Sequence, residues 1–148
     1  MKLNLMSCLL IMFVLSACAP IQDKQEVMEL TNTSWQLVSF QSMDDSQGTT
    51  LVEVPEKYTL TFSADGKVVL RLDCNRGTGS WQSTASADGN SGTLKFGPIA
   101  STRAFCPPPS MGDKLARDLG YVRSYLLKEG RLYLSLMADA GIYEWRAE

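Results

Sequence analysis

Tyr58-Thr59-Leu60-Thr61-Phe62, then Ser63-Ala64-Asp65-Gly66, then Lys67-Val68-Val69-Leu70-Arg71-Leu72 is the stretch that decides the fold. Tyr58, Leu60 and Phe62 fall on one side of an extended chain and Thr59 and Thr61 on the other, because successive strand side chains point to opposite faces. Asp65-Gly66 permits a tight reversal. On the return, Val68, Leu70 and Leu72 face inward while Lys67, Val69 and Arg71 face out. A slip of one residue would expose the whole apolar set, so the hairpin has one register.

Working outward, Trp35, Leu37, Val38 and Phe40 mark a first strand over residues 33–40, and residues 44–50 read as a polar turn. Downstream, Gly77-Thr78-Gly79 reads as a turn, since no helix follows and no Lys stands where a phosphate-cradling loop needs one. Trp81 opens a short strand, residues 83–92 form a loop with no apolar anchor, and residues 93–96 return as a strand. Residues 99–105 are extended up to Cys106. Pro107, Pro108 and Pro109 then stop any regular element, because they lack amide hydrogens. Ser110 is the expected N-cap of a helix that carries Met111, Leu115 and Leu119 on one face. Asp113/Arg117 and Lys114/Asp118 are opposite-charge pairs on its other face, and Gly120 closes it. Strands follow over residues 121–127, 132–136 and 142–145. The sum is an α+β domain, a curved, barrel-like antiparallel meander with one amphipathic helix packed against it.

The start of the chain carries an address. Lys2 precedes an unbroken apolar run from Cys8 to Leu15, shorter than the roughly 20 residues that span a bilayer, so residues 1–17 read as a removable export signal. Leu15-Ser16-Ala17-Cys18 resembles the lipobox of bacterial lipoproteins. That resemblance implies a diacylglyceryl group on the Cys18 thiol, cleavage before it and acylation of the new amine, which together make a stable anchor. An ordinary secretory cleavage site is the alternative, since Ala17-Cys18-Ala19 has the small-x-small form. Residues 18–29 form a lipidated tether and residues 30–148 the domain. Ala19 is not the Asp that retains lipoproteins at the inner membrane, so by the same resemblance the expected address is the outer membrane of the cell envelope, facing the periplasm. With Cys8 removed and Cys18 acylated, Cys74 and Cys106 remain as a pair in an oxidising compartment, which reads as a disulfide. A redox-active pair is the alternative, but C-x-x-C spacing is missing.

Composition prunes the chemistry. The chain has 14 Lys and Arg against 16 Asp and Glu, and no histidine. Ser-His-Asp catalysis, His-ligated zinc and imidazole pH sensing are thereby excluded. Mild acidity argues against nucleic acid as a partner, because phosphate binding needs clustered positive charge. No cofactor and no metal are expected.

Several motifs together resemble the META domain, the module of heat-inducible envelope lipoproteins, from Leu30 to Trp145. Leu30, Thr33, Trp35 and Leu37 match its opening pattern. Phe62, Gly66, Cys74-Asn75-Arg76 and Gly79 match the segment that follows, and Thr102, Arg103 and Cys106 the next. Two positions depart: Asp73 and Leu70 stand where many members have glycine, so the turn before Cys74 is expected to differ. The resemblance implies an envelope-stress role and carries no catalytic mechanism with it.

Asn75, Arg76 and Arg103 flank the cysteine pair as a candidate patch for an anionic ligand or a partner carboxylate, since guanidinium groups offer a planar fork of donors. The plainer reading makes Asn75 a turn residue and the arginines solvated or paired with Asp73. Trp81 is either a strand-face aromatic or a ligand platform. The expected function is a membrane-anchored, non-enzymatic, stress-related module that binds an envelope protein or a small ligand. The alternatives are an inhibitor of a cell-wall hydrolase such as lysozyme, or a hydrolase drawing on Asp65, Asp73, Asp113, Asp139 or Glu144.

Overall fold

A computed structural model describes residues 29–148, so the signal, Cys18 and all but the end of the tether lie outside the described residues. Eight antiparallel strands close into a barrel. They are β1 (Thr33–Ser42), β3 (Tyr58–Phe62), β4 (Lys67–Leu72), β5 (Asn75–Ala85), β6 (Ser91–Phe96), β8 (Val122–Lys128), β9 (Arg131–Leu136) and β10 (Gly141–Ala147). Two short strands lie off the ring: β2 (Thr49–Leu51) on β1 and β7 (Ala100–Ser101) on β5. The ring closes where β1 pairs β10, Trp35 opposite Ala147 and Ser42 opposite Gly141, so no long edge is left unpaired.

The β3–β4 hairpin has the expected register, with Leu60 opposite Leu70 and Phe62 opposite Val68. Leu60, Phe62, Val68, Leu70 and Leu72 join Trp35, Leu37, Leu94, Leu132, Leu134, Tyr143 and Trp145 in a continuous core. The helix α1 (Gly112–Asp118) runs into a 3-10 turn, Leu119–Tyr121, and buries Leu115 and Leu119 completely. The described residues therefore contain the whole barrel, its core and its cross-link, and fold as one unit.

The fold is mostly β, barrel-like as expected, and five local expectations change. Gly77-Thr78-Gly79 is not a turn but the interior of β5. Its glycines face inward, where an added Cβ at Gly79 would lie 2.6 Å from Ile99 Cδ1, so they leave room for the Ile99 side chain just before β7, which pairs alongside β5. The loop expected at 83–92 shrinks to residues 86–90, because β5 extends to Ala85 and β6 starts at Ser91. The polar stretch 44–50 ends in β2, which takes backbone partners from the second half of β1. Helix α1 starts one residue later than expected: Met111 is its N-cap, its N–H donating to Tyr58 Oη at 3.0 Å, and no side chain caps it. Gly120 lies inside the 3-10 turn, with no left-handed cap.

Candidate functional site

The turn between β4 and β5 brings the sequence motif to one place. Cys74 and Cys106, 32 residues apart, form a disulfide with their Cα atoms 5.6 Å apart. Asn75 is buried beneath it. Its Nδ2 donates to the Ala104 carbonyl at 2.9 Å and to Cys106 Sγ at 3.3 Å. Its Oδ1 accepts from Thr102 Oγ1 and from the Ala104 N–H, both at 2.8 Å. Every group of this amide is engaged within the chain, so Asn75 fastens the 102–106 segment to β5 and has nothing left for a ligand.

Asp73 adopts φ +64°, the left-handed conformation in which glycine is at ease and Asp is among the better tolerated substitutes. Its N–H donates to the Lys57 carbonyl at 2.7 Å, and its buried carboxylate lies 3.2 Å from Lys57 Nζ. Asp73 thus takes a backbone region in which glycine is at ease, and an ion pair with Lys57 holds its side chain there. Arg71 Nε reaches the Asp73 carbonyl at 3.4 Å, beside the turn.

Arg76 and Arg103 lie outside this buried network. Both are exposed. Arg76 sits directly opposite Arg71 in the β4–β5 ladder, two cations on one outward face. Arg103 shares a groove of about 570 Å³ with Arg117 of α1, Asp113 and Phe105. Phe105, next to the disulfide, is 85% exposed. None of the ion pairs among the described residues engages Arg71, Arg76, Arg103 or Arg117, nor Lys95, Arg123 or Lys128 elsewhere on the barrel. No group of three or more metal-ligating side chains gathers among the described residues.

Trp81 lies apart from this face. It is half-buried, its Nε1 donates to the Ser63 carbonyl at 3.2 Å, and its ring meets Phe62 edge-on at 4.9 Å. Both its polar and apolar parts serve the barrel wall. Sequence reasoning missed Arg71, Phe105 and Arg117. Arg71 was legible as an outward residue, but its facing Arg76 needed the register of β5, which the glycines disguised.

No curated protein sequence matches this chain. A solved structure, a DUF4847 family protein from Bacteroides vulgatus ATCC 8482, is similar in fold with a TM-score of 0.53 at 14% identity, covering 78% of this chain and 92% of that one. The META domain model matches residues 28–146, from the edge of the tether to the end of the last barrel strand. Barrel, disulfide turn and Thr-Arg segment all fall inside that match, and the chain belongs to the META domain family.

Proposed function

We propose that this chain is a lipid-anchored protein of the bacterial cell envelope, held at the outer membrane by acylated Cys18, and that it works as a non-enzymatic, stress-related binding module for an acidic protein segment. The lipobox-like sequence and the family support the address. The observation that carries the binding role is the groove in which Arg103 and Arg117 lie beside the exposed Phe105. Arg71 and Arg76 stand opposite each other, an arrangement that destabilises a sheet and that an acidic partner relieves. Phe105 offers an apolar anchor beside Arg103, and the disulfide holds it in place, so little conformational freedom is lost on binding.

Two measurements test this reading. Expressed with its own signal, the unaltered chain is expected in the membrane fraction and Cys18→Ala in the soluble envelope fraction; retention of that variant at the membrane sinks the anchor. Residues 29–148 are expected to bind a Glu-rich peptide bearing one Leu, more weakly as salt rises. Arg103→Glu and Phe105→Ser should each weaken binding by about tenfold, the equivalent of one well-made contact. Unchanged affinity in both variants removes this face from the account.

A further inference from the structure

A second polar cluster sits at the barrel mouth, between β1, α1 and the turn leading into β10. Lys114 Nζ lies 3.8 Å from the centroid of the Phe40 ring, pairs with the Asp118 carboxylate, and is 3.4 Å from Tyr143 Oη. Tyr143 is fully buried, and its hydroxyl donates to Asp118 Oδ2 at 2.7 Å. Burial first, and then this bond, push the Tyr143 pKa far above the ordinary tyrosine value, so the hydroxyl remains a donor. Above the cluster lies a groove of about 390 Å³. Buried Phe40 and Leu136 lie at its base, and Tyr121 and Met137, 53% and 41% exposed, form its rim. The rim backbone holds Ala138 and Asp139 at φ +54° and +51°, a region L residues occupy at a cost.

We propose that this groove binds a small neutral amphipathic molecule, with an apolar body and an uncharged amide or hydroxyl head. The volume falls at the small end of ligand pockets, and the lining side chains are apolar except for Lys114, Asp118 and the hydroxyl of Tyr121. Those two charges already balance. A carboxylate head would be forced beside Asp118 and an ammonium head beside Lys114, each bringing an uncompensated charge into a partly desolvated site. An uncharged head avoids both. Lys114 is 40% exposed and has three donors, of which two are directed at Asp118 and Tyr143, leaving one for the head. Asp118 Oδ1 makes no hydrogen bond among the described residues and is the matching acceptor. An amide needs that donor and that acceptor side by side.

The test uses residues 29–148 labelled at the methionine methyl groups, titrated with octanamide, octanoate and octylamine. Octanamide is expected to shift the Met137 methyl saturably and leave Met43 unmoved, with octanoate and octylamine at least tenfold weaker. Lys114→Met should reverse the order in favour of octylamine, whose ammonium takes the vacated place over Phe40 and against Asp118. Ala140→Asp changes an exposed residue of the groove lining and should abolish the octanamide shift at Met137 with the near-ultraviolet circular dichroism unchanged. The proposal is overturned if no probe shifts Met137 saturably, if either charged probe equals octanamide in the unaltered protein, or if octanamide still shifts Met137 saturably in Ala140→Asp.

Discussion

At the disulfide, Asn75 has both donors and both acceptor sites engaged by its own chain, whereas at the barrel mouth Lys114 and Asp118 hold each other and still border open space. Both clusters are polar groups placed against a dry core, and each must be satisfied or lose stability. The first is closed and covalently stapled, so its work is to present what lies outside it, Arg76, Arg103 and Phe105. The second retains one donor and one acceptor, and the proposed ligand would meet the cluster itself. Saturation of hydrogen bonds, more than residue type, separates the structural polar group from the one proposed to bind.

The sharpest way to break this contrast is to remove the staple. Replacing both Cys74 and Cys106 with Ser is expected to lower stability by about 3 to 4 kcal/mol, from the loop entropy regained by the unfolded chain. Denaturant unfolding measures it, and a loss below about 1 kcal/mol would mean that the hydrogen bonds of Asn75, not the sulfur bridge, hold the 102–106 segment. Asn75→Ala comes next, at about 2 to 3 kcal/mol, since it strands the Ala104 N–H and carbonyl without partners. Neither change should alter methyl shifts at Met137, because the two clusters share no residue.

How much of this was legible in the sequence depended on how the chain brings residues together. The β3–β4 hairpin was readable because strict alternation and an Asp-Gly turn act locally, and Cys74-Asn75-Arg76 was readable because its members are contiguous. Gly77-Thr78-Gly79 misled for a physical reason: inward-facing glycine reads as a turn unless one knows that Ile99 crosses above it. Of the mouth, only the helix pair was legible. Phe40 and Tyr143 meet, with ring centroids 4.5 Å apart, only because β10 closes on β1, and no local pattern announces that closure. Lys114 and Asp118 were visible as an i,i+4 pair, yet such a pair normally marks a solvated helix face. Burial of its far side against Phe40 is a tertiary fact.

Tyr143→Phe sharpens the contrast from the open side. Above the ordinary tyrosine value of 10.0, the unfolded chain releases a proton that folded Tyr143 keeps. Stability is therefore full below pH 10 and falls as the pH rises beyond it. Tyr143→Phe should remove most of that alkaline decline, leaving the parts due to Tyr125, whose pKa is raised by burial and then by Asp88, and to exposed Lys67, raised by its bond to Asp65. At neutral pH the same variant loses about 1.5 to 2 kcal/mol, the worth of a hydrogen bond to a charged acceptor. Urea unfolding at pH 7 and at pH 10.5 separates the two effects.

The smallest effect has the opposite sign. Arg76→Glu places a carboxylate directly across from Arg71 and should stabilise the barrel by about 0.2 to 1 kcal/mol, the range of an opposite-charge cross-strand pair. The same variant should weaken binding of the Glu-rich peptide, since one guanidinium of the face becomes a carboxylate. A gain in stability joined to a loss of binding would show that the Arg71–Arg76 repulsion is tolerated in the free barrel and relieved by a partner. A variant that is more stable and binds as before would mean instead that the groove beside Arg103 and Phe105 carries the interaction without the β4–β5 surface. Either result draws the boundary of the outward-facing region, which the buried amide of Asn75 supports but does not enter.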